Sequence, residues 1–172
     1  INNDKIFFIN SIGDVTAVNI DNGELIWQLP TQNTSIYESA FTLKNSDLVL
    51  DKENLFFSNN KNEIFSINSN SGNFNWKNNI NSSLRPTIVG NLLITISSEG
   101  YLFFVDKISG NILKITDVFG IFKKKTRSKI SPTGFVLGLN KIYLSTNIGR
   151  LLIIDVISGE LIKSMKIDNE KI

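Results

Sequence analysis

Short apolar runs alternate with polar turns along the chain. Runs of five or six residues rich in Ile, Leu, Val and Phe lie at Leu92–Ser97, Tyr101–Asp106, Ile142–Thr146 and Leu151–Asp155. This length and composition are typical of β-strands and too short for helices. Some runs are apolar at consecutive positions, which predicts strands that are covered on both faces. Examples of such runs are Leu102–Val105 and Leu151–Ile154. The pattern predicts an all-β protein.

Four segments repeat the same pattern of turns. Each contains a glycine that ends a polar turn, and the spacings between successive glycines are 49, 38 and 49 residues: Gly23, Gly72, Gly110 and Gly159. Ten positions before each glycine is a residue that tolerates positive φ: Gly13, Asn62, Gly100 and Gly149. Four positions before it is a short polar side chain that we expect to bond the following turn: Asn19, Asn68, Asp106 and Asp155. This spacing is typical of β-propeller blades.

A further short strand is predicted upstream of each later repeat, at Leu48–Leu50, Thr87–Val89 and Phe135–Leu137. Pro86 and Pro132 lie shortly before the last two. Their position is compatible with strands, because proline is tolerated where a strand begins. Each blade then has four antiparallel strands, except the first, which lacks the upstream strand. We predict one partial β-propeller domain over residues 1–172 with about four four-stranded blades, in repeats near 5–29, 47–78, 86–117 and 132–167.

The connections and the chain start complete this prediction. Two longer polar stretches, Pro30–Ser46 and Phe119–Ser131, are predicted to be loops. The chain begins at Ile1, directly in a strand pattern and without a signal sequence, which favours a segment of a longer protein.

Composition narrows the functional classes. A hydrophobic content of 41% with twelve Phe supports a sizeable core. The formal charge of +2 comes from mixed signs, so no overall field recruits nucleic acid or a membrane surface. The sequence has neither Cys nor His. This excludes disulfides, thiolate nucleophiles, triads that use His and the commonest transition-metal ligands within the chain.

Two segments carry a family resemblance. Gly23-Glu24-Leu25-Ile26-Trp27 and Gly72-Asn73-Phe74-Asn75-Trp76 resemble the PQQ-like repeat, in which Trp follows the turn glycine. The third and fourth repeats have Lys114 and Lys163 at that position, which predicts weaker tryptophan docking between blades. The resemblance implies a larger propeller of about seven or eight blades.

Within this superfamily the chain is most similar to the BamB-like family of periplasmic lipoproteins. The similarity lies in Ser98–Leu102 and in Arg127 followed by Ser131-Pro132-Thr133. It implies a non-catalytic protein-binding scaffold without cofactors, a component of outer-membrane β-barrel assembly in Gram-negative bacteria. It further implies a periplasmic location, with a lipid anchor outside this segment, and a partner docked on a propeller face or by strand addition.

One dense cluster of positive charge is the candidate partner-binding site: Lys123, Lys124, Lys125, Arg127 and Lys129. It could be a solvated loop, or a contact for an acidic partner segment or anionic lipid headgroups. Nucleic acid is disfavoured because no aromatic residues interleave with the charges. The resemblance implies that Arg127, placed shortly before the strand at Pro132, helps to bind the assembly partner. The neighbouring leucines of the family are replaced here by Lys123 and Lys125.

The remaining candidates have structural interpretations. We expect Trp27 and Trp76 to pack between blades, and Asp106 and Asp155 to cap turns and not to bind metal. A pyrroloquinoline quinone dehydrogenase stays an alternative, although its catalytic base, calcium ligands and stacking aromatics cannot be assembled from these residues. A cell-surface or sensor propeller of unknown ligand is the other alternative.

Overall fold

The computed structural model describes residues 4–31 and 44–167. Within these ranges the regular structure is β-strand, apart from one helix of a single turn. No helix in the described part of the chain has the length and apolar character needed to cross a membrane. Most of the loop predicted over residues 30–46 lies outside the described residues.

The chain divides into two compact units. The first comprises Ile1–Pro86 and Lys107–Gly110, and the second comprises Thr87–Asp106 and Asn111–Ile172. Each unit contains two antiparallel sheets in which consecutive strands are neighbours. The predicted strands are therefore present, and they pair with their neighbours in sequence.

The first unit contains a three-stranded and a four-stranded sheet. The strands of the first sheet are β1 (Lys5–Ile9), β2 (Val15–Asn19) and β3 (Leu25–Leu29). Those of the second are β4 (Val49–Asp51), β5 (Asn54–Asn59), β6 (Glu63–Asn68) and β7 (Phe74–Asn78). Among the described residues the first sheet lacks the upstream strand, as the sequence predicted.

The second unit contains two four-stranded sheets. The strands of one are β8 (Thr87–Val89), β9 (Leu92–Ile96), β10 (Tyr101–Asp106) and β11 (Ile112–Asp117). Those of the other are β12 (Pro132–Gly138), β13 (Lys141–Thr146), β14 (Arg150–Asp155) and β15 (Leu161–Lys166). Pro132 is the first residue of its strand, where a missing N–H is tolerated.

The turn residues adopt the predicted conformations. All eight residues in the two turn columns have positive φ, including Asn62 at 64°. Asn19 Oδ1 accepts hydrogen bonds from the amides of Asp21 and Asn22, at 2.8 and 3.1 Å. Asn68 makes the same pair of bonds to the two corresponding amides of its own turn, both at 2.9 Å. Asn19 and Asn68 of the polar column thus cap the turns that follow them.

The four outer hairpins share a bulge that the sequence did not predict. In each hairpin the pairing shifts by one residue, six positions before the turn glycine: at Ala17/Val18, Ser66/Ile67, Phe104/Val105 and Ile153/Ile154. An extra residue in the outer strand increases local twist and bends the strand. The repeat in sequence is therefore also a repeat in backbone irregularity.

The core of each unit is formed by the middle strands of its sheets. In the first unit, Leu55, Phe56 and Phe57 are each at most 1% exposed, so that strand is covered on both faces. In the second unit, Leu102 and Val105 are fully buried. Along β14, by contrast, Leu152 and Ile154 are buried while Leu151 and Ile153 are half-buried. Burial on both faces was predicted for Leu102–Val105 and Leu151–Ile154. In β10 it holds at three of the four positions, with Phe103 half-buried, whereas one face of β14 is covered less completely.

The predicted loop Phe119–Ser131 contains the helix α1 (Lys124–Arg127). The loop interpretation was therefore incomplete. Lys and Arg are good helix formers, and the basic side chains in the last turn interact favourably with the helix dipole. The composition of this stretch predicted a polar segment. A single helical turn is too short to show the apolar periodicity by which a helix is predicted from sequence.

Candidate functional site

The basic segment, defined as residues 119–131, connects β11 to β12 and is anchored at both ends. Phe119 is fully buried and its ring packs on Gly100, where any Cβ would overlap the ring. At the other end Ile130 is 5% exposed. Because both ends are held in the second unit, the charged residues between them are presented at a defined place.

Helix α1 fixes the middle of the basic segment. The amides of Thr126 and Arg127 donate to the carbonyl of Lys123 at 2.8 and 2.9 Å, and the amide of Ser128 donates to that of Lys124 at 3.1 Å. No residue of the helix is buried. The helix therefore contributes little to the core and mainly orders the cationic side chains.

Arg127 joins the basic segment to the sheet of β8–β11. Its Nη1 donates to Asp117 Oδ2 at 2.6 Å, and its guanidinium lies 5.4 Å from the centre of the Tyr101 ring. The hydrogen bond to Asp117 raises the pKa of Arg127 above its ordinary value. Arg127 is therefore held on the sheet by an ion pair and a cation–π contact.

The lysines of the basic segment have a different environment. Lys123, Lys124, Lys125 and Lys129 are all exposed. Within residues 4–31 and 44–167 none of the four forms an ion pair. Beside them is an open groove of about 390 Å³, lined by Ser98, Glu99, Lys124, Arg127, Ser128 and Ile130. Of the predicted cluster, Lys124 and Arg127 line this groove, and Lys123, Lys125 and Lys129 are exposed on the same segment.

Tyr101, Asp117 and Arg150 are among the contributing residues that were not found from the sequence. Tyr101 and Asp117 hold Arg127, and the Arg150 guanidinium lies 5.7 Å from the centre of the Phe122 ring. Tyr101 and Arg150 each follow a turn residue of the repeat, so aligning the repeats gave a signal for both. No feature of the repeat pointed to Asp117, because its contact with Arg127 depends on the path of the basic segment.

The tryptophans pack as predicted. Trp27 Nε1 donates to the carbonyl of Ser69 at 3.1 Å, and its ring lies 2.8 Å from the position that a Cβ on Gly72 would take. Trp76 makes the same arrangement with Lys107 and Gly110. In the second unit Lys114 takes the equivalent position and its ammonium donates to the carbonyl of Ser158. This hydrogen bond of Lys114 thus takes the place of the contact that an indole ring makes in the first unit.

Of the two aspartates of the repeat, Asp155 caps its own turn, as predicted, and the described side-chain contact of Asp106 is with Asn91. Asp155 Oδ1 accepts from the amides of Ile157 and Ser158 at 2.9 and 2.7 Å. The bond from Ser158 lowers the pKa of Asp155 below its ordinary value. Asp106 Oδ2 accepts from Asn91 Nδ2 at 2.5 Å. Among the described residues no cluster of three or more acidic side chains is arranged to hold a metal ion.

Sequence comparisons relate the chain to outer-membrane assembly factors. A family model described as outer membrane protein assembly factor BamB matches residues 1–116. Outer membrane protein assembly factor BamB from Legionella pneumophila (strain Paris) is 29% identical over 157 residues. The match covers 88% of this chain and 35% of that protein, so the chain spans about a third of this curated relative.

Structural comparisons identify the fold. BamB from Moraxella catarrhalis is similar with a TM-score of 0.59 and 15% identity, over 96% of this chain and 62% of that one. The β-propeller domain of Cps50 (Swd1) from Myceliophteria thermophila gives 0.74 and 15%, over 98% and 53%. The computationally designed protein Ika8 gives 0.73 and 11%, over 100% and 49%. The fold is a partial β-propeller, and the four sheets are its blades.

Proposed function

Because this chain belongs to the family of the outer membrane protein assembly factor BamB, we propose that it is a non-catalytic protein-binding scaffold in outer-membrane β-barrel assembly. The observation that carries the proposal is the family match over residues 1–116. A scaffold of this kind works by presenting a rigid surface, and it needs no catalytic group. The proposal includes a periplasmic location at the outer membrane and attachment by a lipid anchor outside this segment.

The basic segment is the proposed contact with a protein subunit of the assembly machinery. Lys123, Lys124, Lys125 and Lys129 would face an acidic surface of that subunit, since they are exposed and without ion pairs among the described residues. Arg127 would position the segment through Asp117 and Tyr101. Charges at the rim of an interface act mainly on association rate and specificity.

Rigidity supports the scaffold role. The tryptophan contacts connect sheets in the first unit through a hydrogen bond and a close ring packing. In the second unit, Phe119 fixes the start of the basic segment on Gly100. A surface that is ordered before binding loses less conformational entropy when a partner docks.

The test is co-purification from the organism that encodes the protein. The full-length protein, tagged at its own chromosomal locus, is isolated from solubilised envelopes, and the subunits of the β-barrel assembly machine are quantified by mass spectrometry. We expect those subunits to co-purify, and deletion of the gene to lower folded porins in the outer membrane. Fractionation with the cytoplasm, or an envelope complex without those subunits, would contradict the proposed function.

A charge-matched pair of variants tests the contact. The double variant Lys124→Glu/Lys125→Glu reverses two charges in the basic segment, whereas Lys61→Glu/Lys166→Glu makes the same net change at exposed lysines elsewhere. We expect the first pair to reduce co-purification about tenfold and the second to leave it within about twofold. Equal effects of the two pairs would remove the basic segment from the proposal.

A further inference from the structure

We propose that Asn22 is a site of spontaneous modification, at which the side-chain amide is lost through a cyclic imide and leaves aspartate or isoaspartate. Asn22 precedes Gly23 in the turn between β2 and β3, and this is the only Asn-Gly pair in the sequence. The attacking atom in this reaction is the backbone nitrogen of the following residue. Glycine leaves that nitrogen unshielded by a side chain and lets the backbone take the conformations that ring closure needs. The reaction depends on the turn and on water, and not on any partner.

The turn holds the two reacting groups of Asn22 and Gly23 in one hydrogen-bonded ring. Asn22 Oδ1 accepts a hydrogen bond from the amide of Glu24 at 3.0 Å. The ring that this bond closes contains both Asn22 Cγ and Gly23 N, as in other turns that an asparagine side chain closes. A donor at Oδ1 also stabilises the negative charge that develops there when the nitrogen attacks Cγ. The native turn therefore keeps the electrophile and the nucleophile together.

The other three repeats provide an internal comparison. The residue before their turn glycine is a serine, at Ser71, Ser109 and Ser158. The hydroxyls of Ser71 and Ser158 each accept from the amide two residues later, at 3.3 and 3.2 Å, so they make the bond that Asn22 makes through its carbonyl. A hydroxyl offers no carbonyl carbon for attack. Of the four equivalent turns, only the first therefore carries the reactive group.

Exposure gives water access to Asn22 and lets the turn open locally. Asn22 is exposed, and so are Ser71 and Ser109, which occupy the same position in turns whose glycine is covered by a tryptophan ring. Exposure at this position therefore does not depend on what covers the glycine. The Gly23 amide donates to the carbonyl of Asn19 at 2.9 Å, so its nitrogen reacts when this bond opens. Exposed turns open at a much lower free-energy cost than the core.

The reaction needs water as its only co-reactant. Gly23 N loses its proton to solvent and attacks Asn22 Cγ, the bond from Cγ to Nδ2 breaks, and ammonia leaves with a proton taken from water. The imide that results has two carbonyl carbons. Water that adds at Cγ restores the chain with an aspartate, whereas water that adds at the main-chain carbonyl carbon gives isoaspartate, in which the chain runs through Cγ. In both cases one amide and one water become one carboxylate and one ammonium ion.

Both products would weaken the turn between β2 and β3. Asn22 Nδ2 donates to Glu24 Oε2 at 2.9 Å, and this donor is lost. A carboxylate takes its place in a turn that already contains Asp21 and Glu24, so an attractive contact is replaced by repulsion between like charges. Isoaspartate also lengthens the main chain immediately before β3, the strand that contains Trp27. The modification would therefore loosen the strand whose indole bonds the carbonyl of Ser69.

The test follows Asn22 in the folded, full-length protein. The protein is incubated in heavy-oxygen water at mildly alkaline pH, digested at acidic pH, and analysed by electron-transfer fragmentation, with a synthetic peptide of residues 18–27 as the unfolded reference. We expect Asn22 to become isoaspartate and aspartate that carry heavy oxygen. Isoaspartate is the product that direct hydrolysis of the side chain cannot give. The rate should lie within about a hundredfold of that of the peptide, because only the turn must open. A slower rate, as expected if the whole domain had to unfold first, overturns the inference.

A second asparagine and a matched variant supply the controls. Asn140 is also exposed in a turn, between β12 and β13, but Lys141 follows it. We expect isoaspartate to form there at least about tenfold more slowly, because a residue with a side chain supplies the attacking nitrogen. Asn22→Ser keeps the turn bond that Ser71 and Ser158 make and removes the carboxamide, so incubation should leave the stability of this variant unchanged while that of the wild type falls. Equal rates at Asn22 and Asn140, or an equal fall in stability for the variant and the wild type, overturn the inference.

Discussion

The indole nitrogen of Trp76 donates a hydrogen bond to the carbonyl of Lys107 at 3.0 Å, across 31 residues of sequence. The same ring covers Gly110, where the position of a Cβ would lie 2.6 Å from Trp76 Cδ2. The glycine is therefore needed twice, for its φ of 77° and for the space that the ring occupies. The first repeat separates these two requirements, because the corresponding Gly23 has a φ of 72° and open space around it.

We predict that Gly110→Ala lowers the free energy of unfolding by about 3 kcal/mol, since it adds both left-handed strain and overlap with the ring. Gly23→Ala should lower it by only about 1 kcal/mol, from strain alone. Urea denaturation of the full-length protein measures both. Equal losses for the two variants would show that ring packing on Gly110 adds nothing to the backbone requirement.

Replacing Trp76 by Phe should lower the free energy of unfolding by about 1 kcal/mol, because the carbonyl of Lys107 loses its donor. Trp76→Ala should lower it by about 3 kcal/mol, since the covering ring is lost as well. The difference between the two variants in urea denaturation reports the ring contact. A phenylalanine variant as unstable as the alanine variant would argue against this division between hydrogen bond and packing.

Asp155 should make stability depend on pH in the acidic range. Its folded-state pKa is lowered by the Ser158 amide. The stabilisation is therefore fully present above the ordinary aspartate pKa of about 4 and is lost as pH falls through the lowered folded value. Asp155→Asn should be less stable than wild type near neutral pH, and this difference should vanish at low pH. Urea denaturation at a series of pH values tests it.

Asn68→Asp is the reciprocal variant. Asn68 caps the equivalent turn through the amides of Asn70 and Ser71, so a carboxylate there should introduce a matching pH dependence. A flat profile for Asn68→Asp, together with an unchanged profile for Asp155→Asn, would contradict the capping role of the charge.

Asp117→Asn should release the basic segment without removing any lysine or arginine. The ion pair with Arg127 is one of the two described contacts that hold α1 on the sheet. We expect trypsin to cleave after Lys124 and Lys125 several times faster, with the overall unfolding transition nearly unchanged. Glu63→Gln, which breaks the exposed pair with Lys77 at 2.6 Å, is the control and should leave these cleavage rates unaltered.

The basic segment could be predicted only in part from the sequence. The repeat located the segment between β11 and β12, and charge identified its lysines as exposed. The ion pair of Arg127 with Asp117 could not be inferred, because the two residues are ten positions apart and their contact depends on the path of the chain between them. The ion pair between Lys107 Nζ and Asp51 Oδ2, which are 2.6 Å apart and belong to residues 56 positions apart in sequence, could not be predicted either.

Sequence alone determined the strands, their order and the turn positions. Each of these depends on local chemistry: apolar runs favour strands, and Gly or Asn in a turn favours positive φ. Tertiary structure decided the partners of Trp27 and Trp76 and the ion pair that holds Arg127. These features depend on contacts between residues far apart in sequence. The same local sequence pattern is compatible with many different sets of such contacts.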